Sequence, residues 1–275
     1  MAFTDYQALK ASIEQGKPYA FSKNTLTVNA TRWMSLWTVA PDAGAIPTTP
    51  SLCDADTVGA LLSEPKLTSL TKAYYVAQLE LANSANAFTS LMLIDRLSHQ
   101  GGLSGTATAE QTTNLPTAAL TRYTDGVGVM AGLEIYAALG ALAQTVTLSY
   151  TNQAGIAGRI SKPVVIGATN DNAASRFIPI PLQDDDTGVR SVESVTPSSS
   201  TGTAGNYGVV LYKPLMLIPN VSNQAHALQQ RCLNPFIGGY GCSPEIHDAA
   251  CLCLLSLSNG SSSGAVHGMF QLAEA

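Results

Sequence analysis

Charged residues are scarce in this 275-residue chain, at 12% of the sequence against roughly 25% in an ordinary soluble domain. Hydrophobic residues make up 45%, and Ser, Thr, Ala, Gly and Asn take the place of the missing charge. Short neutral side chains lose little conformational entropy and little charge solvation when another protein covers them. A free-standing monomer usually keeps more surface charge for solubility. The composition therefore favours a subunit of a larger assembly.

Basic clusters and long apolar runs are also missing. The 14 Lys and Arg residues are scattered and the formal net charge is -5, so we expect no direct binding to nucleic acid. The most apolar stretch, residues 127–142, is too short to span a membrane and contains Glu134 and several glycines. The first residues include acidic side chains and no apolar core, so we expect no secretory signal and synthesis in a cytoplasm.

Signatures of catalysis are absent from the sequence. It contains no serine-hydrolase elbow, P-loop, zinc-protease helix or dinucleotide-binding glycine motif. The histidines are isolated from one another and from plausible catalytic partners, so we expect packing or interface roles for them. They are His99, His226, His247 and His267. We therefore expect a protein that is not an enzyme and has no cofactor, with a polysaccharide hydrolase as the weakest alternative.

The five cysteines are predicted to be free and mostly buried, as is usual in a reducing compartment. They are Cys53, Cys232, Cys242, Cys251 and Cys253. A disulfide, or a zinc site that also includes His247, remains an alternative. The "CLC" spacing is not that of a zinc knuckle, and "DAACLCLLSLS" is typical of a strand with both cysteines on one face.

Residues 1–65 are predicted to form an N-terminal arm. Apolar residues at helical spacing predict a short helix over residues 4–16. Trp33 and Trp37 lie four residues apart, which predicts one helix face carrying both rings. The prolines of "PDAGAIPTTP" predict an extended strap over residues 41–50.

Residues 66–220 alternate between apolar and polar side chains and predict an antiparallel β-sandwich or jelly roll. "YTNQAGIAGR" predicts a hairpin with its turn at Gly155, and "HQGGLSGTATAEQTTNLPT" predicts a long loop. The cysteine-rich residues 221–275 are expected to pack on the sandwich. Their last two strands, joined by "NGSSSG", are predicted to form a terminal hairpin.

Three consecutive carboxylates, Asp184, Asp185 and Asp186, stand between two predicted strands. The segment "DDDTG" is rich in turn formers and predicts a solvated turn. Its spacing does not match an EF-hand calcium loop, although a looser calcium-binding loop or an acid–base pair remains an alternative. One of these carboxylates is expected to pair with Arg176 or Arg190.

Several segments resemble virion structural proteins of tailed bacteriophages that are associated with the head. The resemblance covers roughly residues 33–219 and consists of similar sequence in several segments, without a catalytic motif. The segments are "SLWTVAPDAGAIPTTPSLCDADTVGAL", "LMLIDRLSHQGGLSGT", "LTRYTDGVGVMAGLEIY", "VTLSYTNQAGIAGR" and "IPLQDDDTGVRSVESVTPSSSTGTAGNYGVVLYKPL".

This resemblance implies a capsid-decorating or minor capsid protein that bridges neighbouring subunits of the virion. Its expected partners are the major capsid protein, other virion subunits and further copies of itself. The expected interface residues are Trp33, Trp37, Arg122 and Arg190. The alternative is a jelly-roll adhesin that binds a receptor or carbohydrate, with or without calcium, through loops 101–113 and 184–188.

Overall fold

The computed structural model describes residues 6–15, 18–61, 74–84, 88–115, 120–218, 228–230 and 245–274. Within these residues the chain forms one helix, α1 (Tyr6–Gln15), and 17 strands. The strands are β1 (Pro18–Lys23), β2 (Trp33–Ser35), β3 (Ser51–Leu52), β4 (Tyr74–Asn83), β5 (Thr89–Leu103), β6 (Gln111–Leu115), β7 (Met130–Ala137), β8 (Gln144–Asn152), β9 (Arg159–Ile160), β10 (Val164–Ile166), β11 (Phe177–Pro179), β12 (Val189–Pro197), β13 (Asn206–Ile218), β14 (Leu228–Gln230), β15 (Glu245–Ile246), β16 (Leu252–Ser258) and β17 (Val266–Glu274).

The strands form three antiparallel sheets. A seven-stranded central sheet has the order β11-β7-β13-β5-β16-β2, with β3 also paired to β5. The first side sheet has the order β1-β17-β4-β14, with β15 also paired to β4. The second side sheet has the order β10-β8-β12-β6, with β9 also paired to β8. The predicted antiparallel β-sandwich is therefore confirmed.

Alternating side chains explain why these segments form strands that are buried on one face. In β8, Val146, Leu148 and Tyr150 are fully buried, whereas Thr147 and Ser149 between them are partly exposed. Successive side chains of a strand point to opposite faces, so this sequence can bury one face and leave the other in water. The pattern places β8 at the surface of a sandwich.

Both side sheets pack against one face of the central sheet, each around its own core. Leu91 and Leu93 of β5 contact the apolar residues of the first side sheet. Leu133 of β7 and Val209 of β13 belong to the core shared with the second side sheet. The opposite face of the central sheet carries side chains such as Ile94, which belongs to one buried cluster with Trp37, Cys53 and Ala60.

Two sequence predictions about the ends of the chain are wrong. Trp33 and Trp37 do not share a helix, because Trp33 belongs to β2, which pairs with β16. The predicted terminal hairpin does not form either. β16 pairs with β5 in the central sheet, whereas β17 pairs with β1 and β4 in the first side sheet.

Other predictions about local structure are confirmed, with one change. The helix is found at Tyr6–Gln15, and β8 and β9 form the predicted hairpin, with Gly155 at φ +78° in its turn. The predicted loop over residues 99–117 is shorter than expected. Its start belongs to β5 and its end contains β6.

The three predicted sections of the chain share their sheets. β1, from the predicted arm, lies beside β17 from the C-terminal section, and β17 in turn pairs with β4. β16 lies between β2 and β5 in the central sheet. The first side sheet and the central sheet therefore each contain strands from all three predicted sections of the chain.

A buried ion pair lies at the centre of β5. Both carboxylate oxygens of Asp95 accept hydrogen bonds from Arg122, at 2.9 Å from Nε and 2.7 Å from Nη2. The same guanidinium donates to the carbonyl of Cys53, and the Cys251 N–H donates to Asp95. Neither charged side chain is more than 1% exposed. This network joins β5 to three distant parts of the chain.

We predict that Arg122→Met lowers the free energy of unfolding by about 3–5 kcal/mol, because it leaves the Asp95 carboxylate buried without a countercharge. Adding Asp95→Asn to that variant should restore a large part of the loss, since the amide oxygen still accepts from the Cys251 N–H and no charge remains. Urea unfolding of the single and double variants measures both effects. A double variant no more stable than the single one would contradict this account.

Candidate functional site

Residues 36–61 include the predicted extended segment 41–50, and the whole range is called the strap from this point on. The strap is fastened to the central sheet around Trp37. The Trp37 ring is 1% exposed, and its Nε1 donates to the carbonyl of Ala45 at 2.9 Å. Gly44 and Gly59 lie directly against the ring, so that an added Cβ would come within 2.0 Å of it at Gly44 and 2.7 Å at Gly59. Only glycine fits at either position without displacing the ring.

A fully buried guanidinium lies beneath Trp37. Arg96 sits 4.4 Å from the centre of the Trp37 ring and 2.7 Å from Glu134 on β7. It also donates to the Tyr136 hydroxyl at 2.9 Å and to Nδ1 of His99 at 2.8 Å. Burial alone would lower the pKa of Arg96, but the Glu134 carboxylate raises it well above its usual value. The group is therefore a permanent cation, and Trp37 contributes a cation–π contact to it.

Three further sets of contacts hold the strap along its length. The buried ammonium of Lys23 donates to the backbone carbonyls of Val39, Pro41 and Asp42, at 3.1, 2.9 and 3.0 Å. In the second half of the strap, β3 pairs with residues 98–99 of β5. The Leu61 N–H then donates to the carbonyl of Leu252 at 2.8 Å. The strap is thus held at its start, middle and end.

The acidic turn is organised by Asp186. Its carboxylate, with 3% of the side-chain surface exposed, accepts hydrogen bonds from Tyr150 at 2.6 Å, Asn152 at 2.7 Å and Arg159 at 2.9 Å. Asp184 instead pairs with Lys162 at the surface. Both pairing partners differ from the predicted Arg176 and Arg190. Within the described residues, no group of three or more His, Cys, Asp or Glu side chains is arranged to hold a metal ion.

The outer face of the second side sheet is built of hydroxyl side chains. Thr112, Ser194 and Ser149 lie opposite one another across β6, β12 and β8, and Ile160 of β9 continues the row. Thr147 and Thr196 form a neighbouring pair. We call this surface the hydroxyl face. Its members are Thr112, Thr145, Thr147, Ser149, Thr151, Ser191, Ser194 and Thr196.

Carboxylates on the hydroxyl face are already hydrogen-bonded to hydroxyls. Glu193 accepts from Thr151 at 2.8 Å and from Ser191 at 2.6 Å, and Ser194 donates to Glu110. The margin of the face at β9 and β10 is apolar, with Ile160 and Val165 about half exposed. The hydroxyls of Thr151, Ser191 and Ser194 thus have carboxylate partners within the chain.

The four predicted interface residues lie in different surroundings. Trp37 and Arg122 are buried within the chain by the contacts given above, and Trp33 is partly buried beside them. Arg190 donates to the carbonyl of Gln153 and to that of Asp125, at 3.0 and 3.2 Å from Nε. Their part in contacts between subunits stays a prediction.

Sequence reasoning missed the residues that fasten the strap and form the hydroxyl face. Lys23, Arg96 and Glu134 lie far apart in the sequence, so nothing indicated the contacts that they make in the fold. The hydroxyl face left a signal in the alternation of "QTVTLSYTN", which places Thr, Thr, Ser and Thr on one side of β8. As for the cysteines, Cys53, Cys251 and Cys253 are buried free thiols, as expected. Cys232 and Cys242 lie outside the described residues.

The solved structures to which the chain is similar include structures of a viral capsid protein. No protein-family model and no curated protein matches the chain. The subviral particle of infectious bursal disease virus VP2 is 10% identical, with 94% of this chain and 81% of that chain covered and a TM-score of 0.20. The chain in T=1 particles derived from the same virus is 11% identical to this chain. The match covers 94% of this chain and 78% of that chain, with a TM-score of 0.20. A likeness at this level assigns neither a family nor a function to the chain.

In the described part of the chain, no helix is long and apolar enough to cross a membrane.

Asp186 predicts a pH-dependent contribution to stability. Burial alone would raise its pKa, but the hydrogen bonds from Arg159, Tyr150 and Asn152 lower it below the usual value. A carboxyl group with a lowered pKa in the folded state stabilises the fold above its unfolded pKa, near about 4, and loses that contribution as the pH falls through the folded pKa. Asp186→Asn should therefore be less stable than the parent protein at about pH 7, and the difference should shrink by about pH 3.

Urea midpoints at the two pH values measure this difference. Asp185→Asn is the matched control, because Asp185 is an exposed neighbour with φ +72°, a conformation that Asn also adopts. It should unfold like the parent protein at both pH values. A deficit for Asp186→Asn that is equal at both would contradict the assigned role of its charge.

Proposed function

We propose that this chain is a non-enzymatic structural subunit of a tailed-phage virion, which stabilises the capsid by bridging neighbouring subunits. Its partners are the major capsid protein or other virion subunits, together with further copies of itself. The resemblance of residues 33–219 to head-associated virion proteins supports this assignment, and so does the low charge of the chain.

The hydroxyl face is the observation that carries the proposal. It is a sheet surface whose outward side chains are mostly short hydroxyls, with Glu193 and Glu110 hydrogen-bonded to three of them and an apolar margin at Ile160 and Val165. Burying this face against another protein costs little side-chain conformational entropy, because its hydroxyl side chains are short, and removes water from few charged groups. Polar surfaces designed for a free monomer normally carry more interspersed charge.

Trp37 of the strap and the hydroxyl face lie on opposite sides of the central sheet. The second side sheet packs on the face of the central sheet away from Trp37, and its hydroxyl face points away from that contact. The hydroxyl face therefore provides a prearranged contact surface on one side of the subunit. In a shell, contacts that are weak singly are multiplied over many symmetric copies.

A charge placed in the middle of the hydroxyl face tests the proposal. Thr147→Glu should weaken association of the purified chain by about tenfold or more, equivalent to about 1.4 kcal/mol, because the new carboxylate has to be desolvated in the contact. Analytical ultracentrifugation over a concentration series measures the association. Thermal unfolding should show that the variant keeps its fold.

Thr25→Glu is the matched control, since Thr25 is an exposed threonine that follows β1 in the first side sheet, away from the hydroxyl face. It should associate like the parent protein. Equal association of both variants would show that the hydroxyl face is not the contact. Quantitative mass spectrometry of purified phage heads tests the assignment as a whole, and absence of the chain from the particle would overturn it.

A further inference from the structure

Two cysteines from distant parts of the chain meet on one edge of β5. Cys53 directly follows β3, and its N–H donates to the carbonyl of Leu97 at 2.9 Å. Cys251 directly precedes β16, and its carbonyl accepts from the N–H of Arg96 at 2.9 Å. Since Arg96 and Leu97 are consecutive, the end of β3 and the start of β16 are brought together end to end.

The side chains of Cys53 and Cys251 lie in the same buried cluster inside the protein, together with Cys253. The Cys253 thiol donates to the carbonyl of Cys251 at 3.6 Å. All three cysteines are buried and none forms a disulfide. Arg96, which is paired with Glu134, donates to His99 beside this group of sulfur atoms.

The surroundings make the two thiols chemically unequal. Burial alone would raise the pKa of Cys53, but its bonds with Cys251 and His99 and the charge of Arg96 lower it well below the usual value. Hydrogen bonds with Cys253 and Cys53, together with burial, raise the pKa of Cys251 well above its usual value. A thiolate next to a protonated thiol is the arrangement from which thiol–disulfide exchange starts.

Cys251 has two sulfur neighbours, but only one suits a crosslink. Cys251 and Cys253 are two residues apart along the same extended segment, so their side chains run parallel and closing a bond between them strains the strand. Cys53 approaches from a separate segment whose end is free of that constraint. The geometry therefore favours the pair that joins the strap to β16.

We propose that Cys53 and Cys251 form a redox-sensitive pair, and that their disulfide locks the strap onto the central sheet. The oxidant is a small disulfide such as oxidised glutathione. The Cys53 thiolate attacks one of its sulfur atoms and releases a small thiolate. The Cys251 sulfur then displaces the second small thiol, and its proton passes to the released thiolate. One small disulfide, the Cys53 thiolate and the Cys251 thiol become one protein disulfide, one small thiolate and one small thiol.

Burial sets the conditions under which the pair reacts. Cys53 and Cys251 are at most 1% exposed, so the oxidant reaches them when the strap lifts from the sheet. The disulfide then keeps the strap closed until a reductant removes it. This device is independent of the proposed role in a virion, because it depends only on contacts within one chain.

The test uses the full chain, purified with reductant and then incubated with oxidised glutathione. Mass spectrometry of peptides digested without reduction should show a Cys53–Cys251 crosslink. The oxidised protein should melt about 5–10 °C higher than the reduced protein, and dithiothreitol should reverse the shift. Cys53→Ser should abolish both the crosslink and the shift, whereas the matched control Cys253→Ser should keep both.

Peptide mapping of the parent protein decides the question even where a variant fails to fold. A stable mixed disulfide between Cys53 and glutathione would overturn the proposal. So would crosslinks that join Cys251 to Cys253, or that join Cys53 or Cys251 to Cys232 or Cys242. A Cys53–Cys251 crosslink that leaves the melting temperature unchanged would overturn the locking role.

Discussion

Two consecutive charged residues in the middle of β5 hold the fold in register. Asp95 and Arg96 point to opposite faces of the central sheet, and each finds its countercharge there, Arg122 on one face and Glu134 on the other. A strand that slips by one residue exchanges its two faces. A slip of β5 would therefore remove both buried charges from their partners, a cost far greater than that of misplacing a single apolar side chain.

The low charge of the chain becomes more pronounced once the fold is known. Several of its few charged side chains lie in the interior, among them Lys23, Asp95, Arg96, Arg122 and Glu134. They fasten the strap and join the sheets, so they are lost to the surface. The exterior is consequently poorer in charge than the composition suggests, and the hydroxyl face is the clearest result of that distribution.

The alternation of apolar and polar residues was enough to predict most of the strands and the sandwich, because the period of two survives in any sheet with one wet face. Pairing between strands was not predictable in the same way. Strands β16 and β17 are adjacent in sequence and joined by a Gly/Ser-rich linker, yet they belong to different sheets. β16 pairs with β5, and β17 pairs with β4. The four-residue spacing of Trp33 and Trp37 fits a helix, but pairing of β2 with β16 decided the local structure instead.

The candidate site was less accessible to sequence reasoning because it depends on contacts between residues far apart in the chain. The turn at Asp184–Asp186 was recognised, but its stabilisation by Asp186 required Tyr150 and Arg159 from β8 and β9. The interface role of Trp37 stays a prediction, and the contact of its ring with Arg96 inside the chain could not be predicted from the spacing of the two residues.

This placement of Trp37 bears on how the chain would assemble. A strap that ordered only on contact with a neighbour would lose conformational entropy at that moment and weaken the contact. Here Lys23, Trp37 and β3 already hold the strap within its own chain. Both sides of the subunit are thus arranged before any partner arrives, so a partner meeting the hydroxyl face can gain its full contact area at little ordering cost. Preorganisation of this kind allows a face with no strong single contact to bind usefully when it is repeated many times.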